Sequence, residues 1–324
     1  MVTERIQALR AEMQKRNIDM YIVPTSDFHE SEYVGDYFKA RKYITGFTGS
    51  AGTAVITKDA AGLWADGRYF IQAEQQLAGS PITLYRMGEE GVPTVKEYVE
   101  QNLKEGGCLG FDGRVINAKD GEDYEKTAAG RQGTVYADED LVGVIWEGRP
   151  ELPKNPVFVL EGKYAGESTE SKLKRLREKM AEKKAGIHIL TSLYDIAWLF
   201  NIRGGDISHV PVVLSFAAIT DQDCIWFIHE EVLDQNLQQY CREQHITILP
   251  YGDIYRYAEE IPENASVLLD KNIVNYRIFH NLAPKVNVVH GENPTELMKA
   301  VKNETELSNI RNAHVKDGVA FTKF

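Results

Sequence analysis

The sequence is poor in cysteine, with three in 324 residues: Cys108, Cys224 and Cys241. Three scattered thiols cannot build a disulfide framework, and no Cys-x-x-Cys pair offers a zinc clasp. They read as idle or buried thiols of a reducing cytoplasm. Long apolar runs are also missing. A membrane helix needs roughly 18 apolar residues in a row, whereas the longest runs here, 187–190 and 210–214, are strand-sized. The start, Met1-Val2-Thr3-Glu4-Arg5, lacks the apolar core of a signal peptide. Positive charge is in deficit: 37 Lys+Arg against 48 Asp+Glu leave −11. A nucleic-acid reader usually carries a basic face. Neither nucleic acid nor membrane is therefore expected as a partner, and a cytoplasmic location is expected. Chemical motifs are scarce too. There is no HExxH, no GxGxxG, no P-loop and no GxSxG, and no dense His/Asp/Glu cluster. These residues therefore offer no complete catalytic constellation.

What is present is an ordinary globular composition, 43% hydrophobic and 26% charged, at a length of about two domains. The chain also repeats itself. Ile6, Leu9 and Met13 form one apolar stripe on a charged helix, and Leu173, Leu176 and Met180 repeat it 167 residues later. Each helix runs into a short strand, Tyr21-Ile22-Val23 or Ile187-His188-Ile189-Leu190. Tyr43-Ile44-Thr45-Gly46-Phe47 answers to Trp198-Leu199-Phe200-Asn201-Ile202, and 52–57 answers to 211–216. Gly62-Leu63-Trp64 answers to Cys224-Ile225-Trp226, and the Phe70/Ala73/Leu77 stripe to Val232/Leu233/Leu237. Asp112 answers to Asp270, and Asn117 to Asn275. Alternating helices and strands predict an α/β fold: two tandem homologous units, each a mixed sheet with flanking helices.

Three prolines, Pro150, Pro153 and Pro156, make an extended connector. The predicted domains are 1–149 and 157–290. Residues 291–324 start afresh, with Asn293-Pro294-Thr295 as a helix entry. A last helix, with Leu307, Ile310, Ala313, Ala320 and Phe324 on one face, meets no stop signal and ends in mid-pattern.

Gly46-Phe47-Thr48-Gly49-Ser50-Ala51-Gly52-Thr53 is glycine-rich but precedes a strand. It reads as a tight loop rather than a phosphate cradle, which needs a helix N-terminus. His29, beside Glu30 and Glu32, reads as a solvated loop residue or the start of a metal site lacking its partners. His188 reads as a satisfied core histidine, and nothing local decides His209. Asp66-Gly67-Arg68-Tyr69 joins a strand to a helix, with Asp66 expected to cap that helix. Arg68 is then expected in its first turn, against the macrodipole, and needs a carboxylate of the fold or of a ligand. The second repeat has Ile228-His229-Glu230-Glu231 there, so Arg68 is particular to the first.

These stretches also resemble a family. Ser26-Asp27-Phe28-His29-Glu30-Ser31-Glu32-Tyr33, the 46–53 loop and Leu63-Trp64-Ala65-Asp66-Gly67-Arg68-Tyr69-Phe70 are similar to the first domain of three-domain Xaa-Pro aminopeptidases. Asp195-Ile196-Ala197-Trp198-Leu199-Phe200-Asn201-Ile202-Arg203-Gly204 resembles the second domain, and 302–318 the opening helix of the third. The resemblance implies two creatinase N-terminal domains followed by the first helices, 291–324, of a truncated pita-bread catalytic domain. That domain would hold two divalent metals, manganese as a rule, on five ligands absent from this chain, and use a metal-bridging hydroxide to cut the bond before proline. The chain is then a fragment of a cytoplasmic metallo-aminopeptidase of about twice the length, inactive alone. It would shape the substrate entrance and support a homodimer, with a proline-containing peptide and the missing catalytic domain as partners. Arg68 is the implied peptide contact. His29 is a second substrate-binding candidate in a matching motif, and Tyr33 has no assigned role. The alternatives are a peptide- or histone-binding module of a catalytically dead relative, or a relative acting on creatine or Xaa-Pro dipeptides.

Overall fold

A computed structural model describes residues 1–284 and 286–324. The chain divides into two compact units, Met1–Pro153 with Asn275–His280, and Lys154–Val274 with Asn281–Phe324. The first contains α1 (Val2–Lys15), β1 (Met20–Pro24), α2 (Ala40–Thr45), β2 (Thr53–Thr57), β3 (Ala61–Ala65), α3 (Phe70–Leu77), β4 (Thr83–Arg86), α4 (Val95–Asn102), β5 (Cys108–Phe111), α5 (Ala118–Gly130), β6 (Thr134–Tyr136) and α6 (Leu141–Ile145). There follow β7 (Phe158–Val159), α7 (Gly162–Ala165), α8 (Thr169–Glu182), β8 (Ile187–Leu190), α9 (Leu193–Leu199), β9 (Ile202–Arg203), β10 (Ser215–Thr220), β11 (Cys224–Ile228), α10 (Gln235–Glu243), β12 (Thr247–Pro250), α11 (Asp253–Glu260), β13 (Ser266–Leu269), α12 (Tyr276–Asn281), β14 (Asn287–His290), α13 (Pro294–Ala300) and α14 (Glu304–Lys323).

The repeat is real at the level of topology. The two six-stranded sheets have orders β4-β3-β2-β1-β5-β6 and β12-β11-β10-β8-β13-β14. In each, one strand (β2 or β10) runs against the rest. The mixed α/β expectation holds. The predicted stripes are core: Ile6, Leu9 and Met13, like Leu173, Leu176 and Met180, are all at most 3% exposed.

The repeat also preserves two cationic clamps. Arg5 donates to the Tyr43 carbonyl at 2.7 Å and lies 4.2 Å over its ring. Lys172 donates to the Trp198 carbonyl at 2.8 Å and lies 4.4 Å over that ring. Each cation reaches a carbonyl in the last turn of a short helix, where regular i to i+4 partners run out. The next residue to turn is left-handed in both, Gly46 at φ +74° and Asn201 at φ +50°. Further along the same helices, Arg10 bonds Thr57 O and Ala60 O, and Arg177 bonds Thr220 O and Asp223 O. Each ties the first helix to the hairpin of the two strands beyond.

Two registers differ from the sequence expectation. Thr57 corresponds to Thr220, not Phe216. Residues 210–214 are not a strand but an irregular loop, bound through Asp206 to Leu214 N–H at 2.8 Å, with Pro211 lacking an N–H for a ladder. Trp64 and Trp226 are not equivalent either. Leu63 pairs with Ala54 as Trp226 pairs with Ala217. Trp226 thus packs with Leu173 and Leu176, whereas Trp64 packs on the opposite face of its sheet with Val99 and Phe111. A slip of one residue reverses the face of a strand, so the two tryptophans, alike in type, lie on opposite faces of their sheets. Val232 lies in a single 3-10 turn, and the helix of that region is α10, capped by Asp234. At 293–295, Asn293 is the N-cap and Pro294 the first helical residue. In α14 no residue is buried, and Val315, Val319, Phe321 and Phe324 are exposed. No described helix is long and apolar enough to cross a membrane.

Candidate functional site

In the first unit β1, β3 and β5 run parallel, so the loops after them open on one edge of the sheet. Ligands of open α/β sheets collect at such carboxyl ends. The loop after β1 carries the 26–33 motif, whose first half, 26–29, is buried while Glu32 and Tyr33 are exposed. Asp27 and His29 are each 1% exposed. Asp27 Oδ1 accepts from His29 N–H at 2.8 Å and Ser31 N–H at 3.0 Å, the local bonding that makes aspartate a turn former. Phe28 packs edge-on to Phe38, beneath the Arg114 guanidinium. These contacts bury His29, overturning the solvated-loop expectation. Tyr33 is 55% exposed.

Asp27 Oδ2 is buried without a hydrogen-bond partner among the described residues. Beside it, Glu30 sits at φ +53° with its carboxyl pushed up to about 7. Burial is the main cause, followed by the charges of Asp27 and Asp120; hydrogen bonds from Asn117 and Ser26 oppose them only partly.

The glycine-rich loop is held by a residue that the sequence did not single out. Arg41 is 3% exposed. It donates to Thr25 Oγ1 at 2.9 Å, to Phe47 O at 2.7 Å and to Gly49 O, and burial brings it down to about 10. Its planar fork joins the loop to the end of β1. Gly52 has φ +151°, and a Cβ at Gly49 would lie 2.2 Å from the Phe47 ring, so the glycines serve close approach, as expected. Nothing local marks Arg41; only the fold surrounds it with carbonyls.

Asp66 and Arg68 differ from expectation. The N-cap of α3 is Tyr69, without a side-chain bond, so Asp66 caps nothing and Arg68 precedes the helix. Asp66 instead closes a turn on Arg68: Oδ1 accepts from its N–H at 3.0 Å and its Nε at 2.9 Å, and Oδ2 from Nη2 at 2.8 Å. The pair holds Asp66 down at about 2. The Arg68 side chain is 69% exposed. The carboxylate that Arg68 required is thus two residues away, and the guanidinium remains open to solvent.

The same device recurs after β5, where Asp112 binds Arg114 N–H at 3.0 Å, Nε at 2.9 Å and Nη2 at 3.0 Å. The tripeptide Asp-Gly-Arg at 66–68 and again at 112–114 was the available signal. Arg68 and His29 share this edge on loops of different strands, with β2 between β3 and β1. The Arg68 hydrogen bonds go to Asp66 rather than to the His29 loop.

Elsewhere, His188 is fully buried, with Nδ1 3.0 Å from Leu268 O, and His209 is exposed at φ +64°. Cys224 and Cys241 are buried, and burial raises their thiols to about 12 and about 11. Among the described residues no three His, Cys, Asp or Glu side chains gather as metal ligands. The described residues do not fit a di-metal centre.

Two relatives align along nearly the whole chain. The "Probable Xaa-Pro aminopeptidase P" of Podospora anserina is 39% identical over 334 residues, covering 99% of this chain and 49% of its own length. Its namesake in Coprinopsis cinerea is 36% identical, covering 99% and 54%. The chain spans about half the length of these curated relatives. Among solved structures, the X-prolyl aminopeptidase of Caenorhabditis elegans superposes with a TM-score of 0.94 at 30% identity, over 100% of this chain and 55% of that one. It is described as a cytosolic enzyme with a di-nuclear active site. Models of the creatinase/prolidase N-terminal domain match residues 5–147 and 148–306. With two such domains in tandem, the chain belongs to the creatinase/prolidase N-terminal domain family.

Proposed function

We propose that this chain is the non-catalytic N-terminal region of a metal-dependent Xaa-Pro aminopeptidase, which releases the residue preceding proline from a peptide. The observation that carries the reading is coverage. Alignment and superposition run from end to end of this chain, yet leave about half of each aminopeptidase unmatched. In this reading 1–149 and 157–290 are the two creatinase-type domains. Residues 291–324 lead into a catalytic half carrying two divalent metals, manganese by preference, in a cytoplasmic dimer.

The sheet edge of the first unit then faces the substrate entrance. Arg68 supplies an exposed guanidinium whose direction Asp66 sets, free to exchange that carboxylate for a peptide oxygen. His29, being buried, acts by holding the 26–33 loop in shape.

The test is release of arginine from Arg-Pro-Pro in the presence of Mn²⁺. The 324-residue chain should release none, while the protein extended through its second half should be active. In that longer protein Arg68→Ala should lower kcat/KM at least about tenfold, the loss of one charge-assisted hydrogen bond. Activity of the 324-residue chain alone would sink the proposal. A second half without metal ligands would make the chain a peptide- or histone-binding module instead.

A further inference from the structure

Tyr21 and His188 are equivalent, each the second residue of its central strand and each paired with the parallel neighbour, at Gly110 and Leu268. Tyr21 is 1% exposed. Its hydroxyl donates to Glu139 O at 2.9 Å and accepts from Leu141 N–H at 3.1 Å, capping α6. Gly110 makes room for the ring, since a Cβ there would lie 2.7 Å from Tyr21 Cδ2.

The second unit changes this arrangement at every position. Cys108 pairs with Thr134 as Ser266 pairs with Asn287, which sets Asn293 against Asp140, both helix N-caps. Pro294 thus stands for Leu141, and Thr295 for Val142. The shared clamp on Tyr43 and Trp198 likewise sets Asp195 against Ala40. Leu268 fills the space that Gly110 leaves, and the smaller imidazole replaces the phenol. Pro294 has no N–H to offer it.

His188 Nδ1 faces a carbonyl oxygen, which only accepts, so Nδ1 carries the proton and Nε2 is a bare acceptor. Burial also holds His188 below the ordinary histidine range, keeping it neutral. His188 Nε2 and Thr295 Oγ1 are both buried, with no hydrogen-bond partner among the described residues. Asp195, 3% exposed, forms an ion pair with Lys299 at 2.9 Å and keeps acceptor capacity. In the first unit the counterparts of these three residues, Tyr21, Ala40 and Val142, line one small cavity. The second unit thus carries polar groups at the three positions whose counterparts share a cavity wall in the first, and the Asp195 charge acts on His188.

We propose that the second unit builds an internal site for one ordered water molecule, occupying the place that the Tyr21 hydroxyl takes in the first. The water accepts from Thr295 Oγ1–H and donates to His188 Nε2 and to the Asp195 carboxylate. Three bonds are the usual complement of a buried water, and both orphaned atoms are satisfied.

The experiment is water-to-protein NOE spectroscopy on the 324-residue chain, read at the Thr295 methyl and the His188 ring, beside Thr295→Val. The expected result is a slow-exchange water contact at both residues in the wild type. Thr295→Val, nearly isosteric and matching Val142, should lose the contact at His188 and lower Tm by about 3 °C, since it removes one donor from a buried network. Absence of the water contact in the wild type would overturn the proposal. So would a Thr295→Val protein whose Tm is unchanged or higher, because an idle buried hydroxyl is better replaced by a methyl.

Discussion

Glu30→Gln should gain stability over the wild type as pH rises from about 5 to about 8, and hold that advantage above it. The Glu30 carboxyl titrates at about 7 in the folded chain against 4.5 as the ordinary value. Between those two pH values the folded state keeps a proton that the unfolded chain has released. Stability therefore falls as pH rises through that window, the reverse of a salt-bridged carboxylate. One pH unit of separation corresponds to about 1.4 kcal/mol. Weighting by protonation in both states, the wild type loses about 2.5 kcal/mol from this one group between pH 5 and pH 8. Glutamine keeps the shape and polarity and has nothing to ionise. The assay is urea unfolding of both proteins at pH 5 and pH 8, comparing midpoints at a shared slope. The advantage of the variant should grow by about 2.5 kcal/mol between the two pH values. An advantage equal at both would refute the reasoning, and would mean that Glu30 finds a cation or water that relieves its charge.

Lys172→Met should cost about 2–4 kcal/mol by urea unfolding, because it strips donors from Trp198 O and Asn201 Oδ1 in a buried setting. Gly49→Ala should destabilise by about 1–3 kcal/mol in the same assay, since its Cβ would overlap the Phe47 ring that the Arg41 clamp holds. Arg68→Ala should leave the chain's stability within about 0.5 kcal/mol of wild type, its ion pair with Asp66 being solvent-exposed. A large loss of Tm there would assign Arg68 to the fold rather than to a ligand.

The parts of the molecule legible in advance share one property, which is that they depend on local period and spacing. The stripes Ile6/Leu9/Met13 and Leu173/Leu176/Met180 are helix faces, and their recurrence exposed the duplicated architecture. The glycines of the 46–53 loop announced close approach. Illegible were matters of register and of long-range polar contact. Trp64 and Trp226 look alike in the sequence but face opposite sides of their sheets. The Asp66 carboxylate could serve a helix or Arg68, and both uses have the same local sequence. Arg41 is one arginine among many until the carbonyls of Phe47 and Gly49 meet it.

The α/β class and the two repeated units could be read from the amino-acid order alone, because helix and strand periods, prolines and repeated motifs are written within short windows. It took the assembled fold to bury His29, to clip Arg68 to Asp66 while leaving it open to solvent, and to set His188, Asp195 and Thr295 where the first unit has Tyr21, Ala40 and Val142. Burial and hydrogen-bond completion depend on what distant segments place beside a residue. The strand register that sets those neighbours is a cooperative property of the whole sheet.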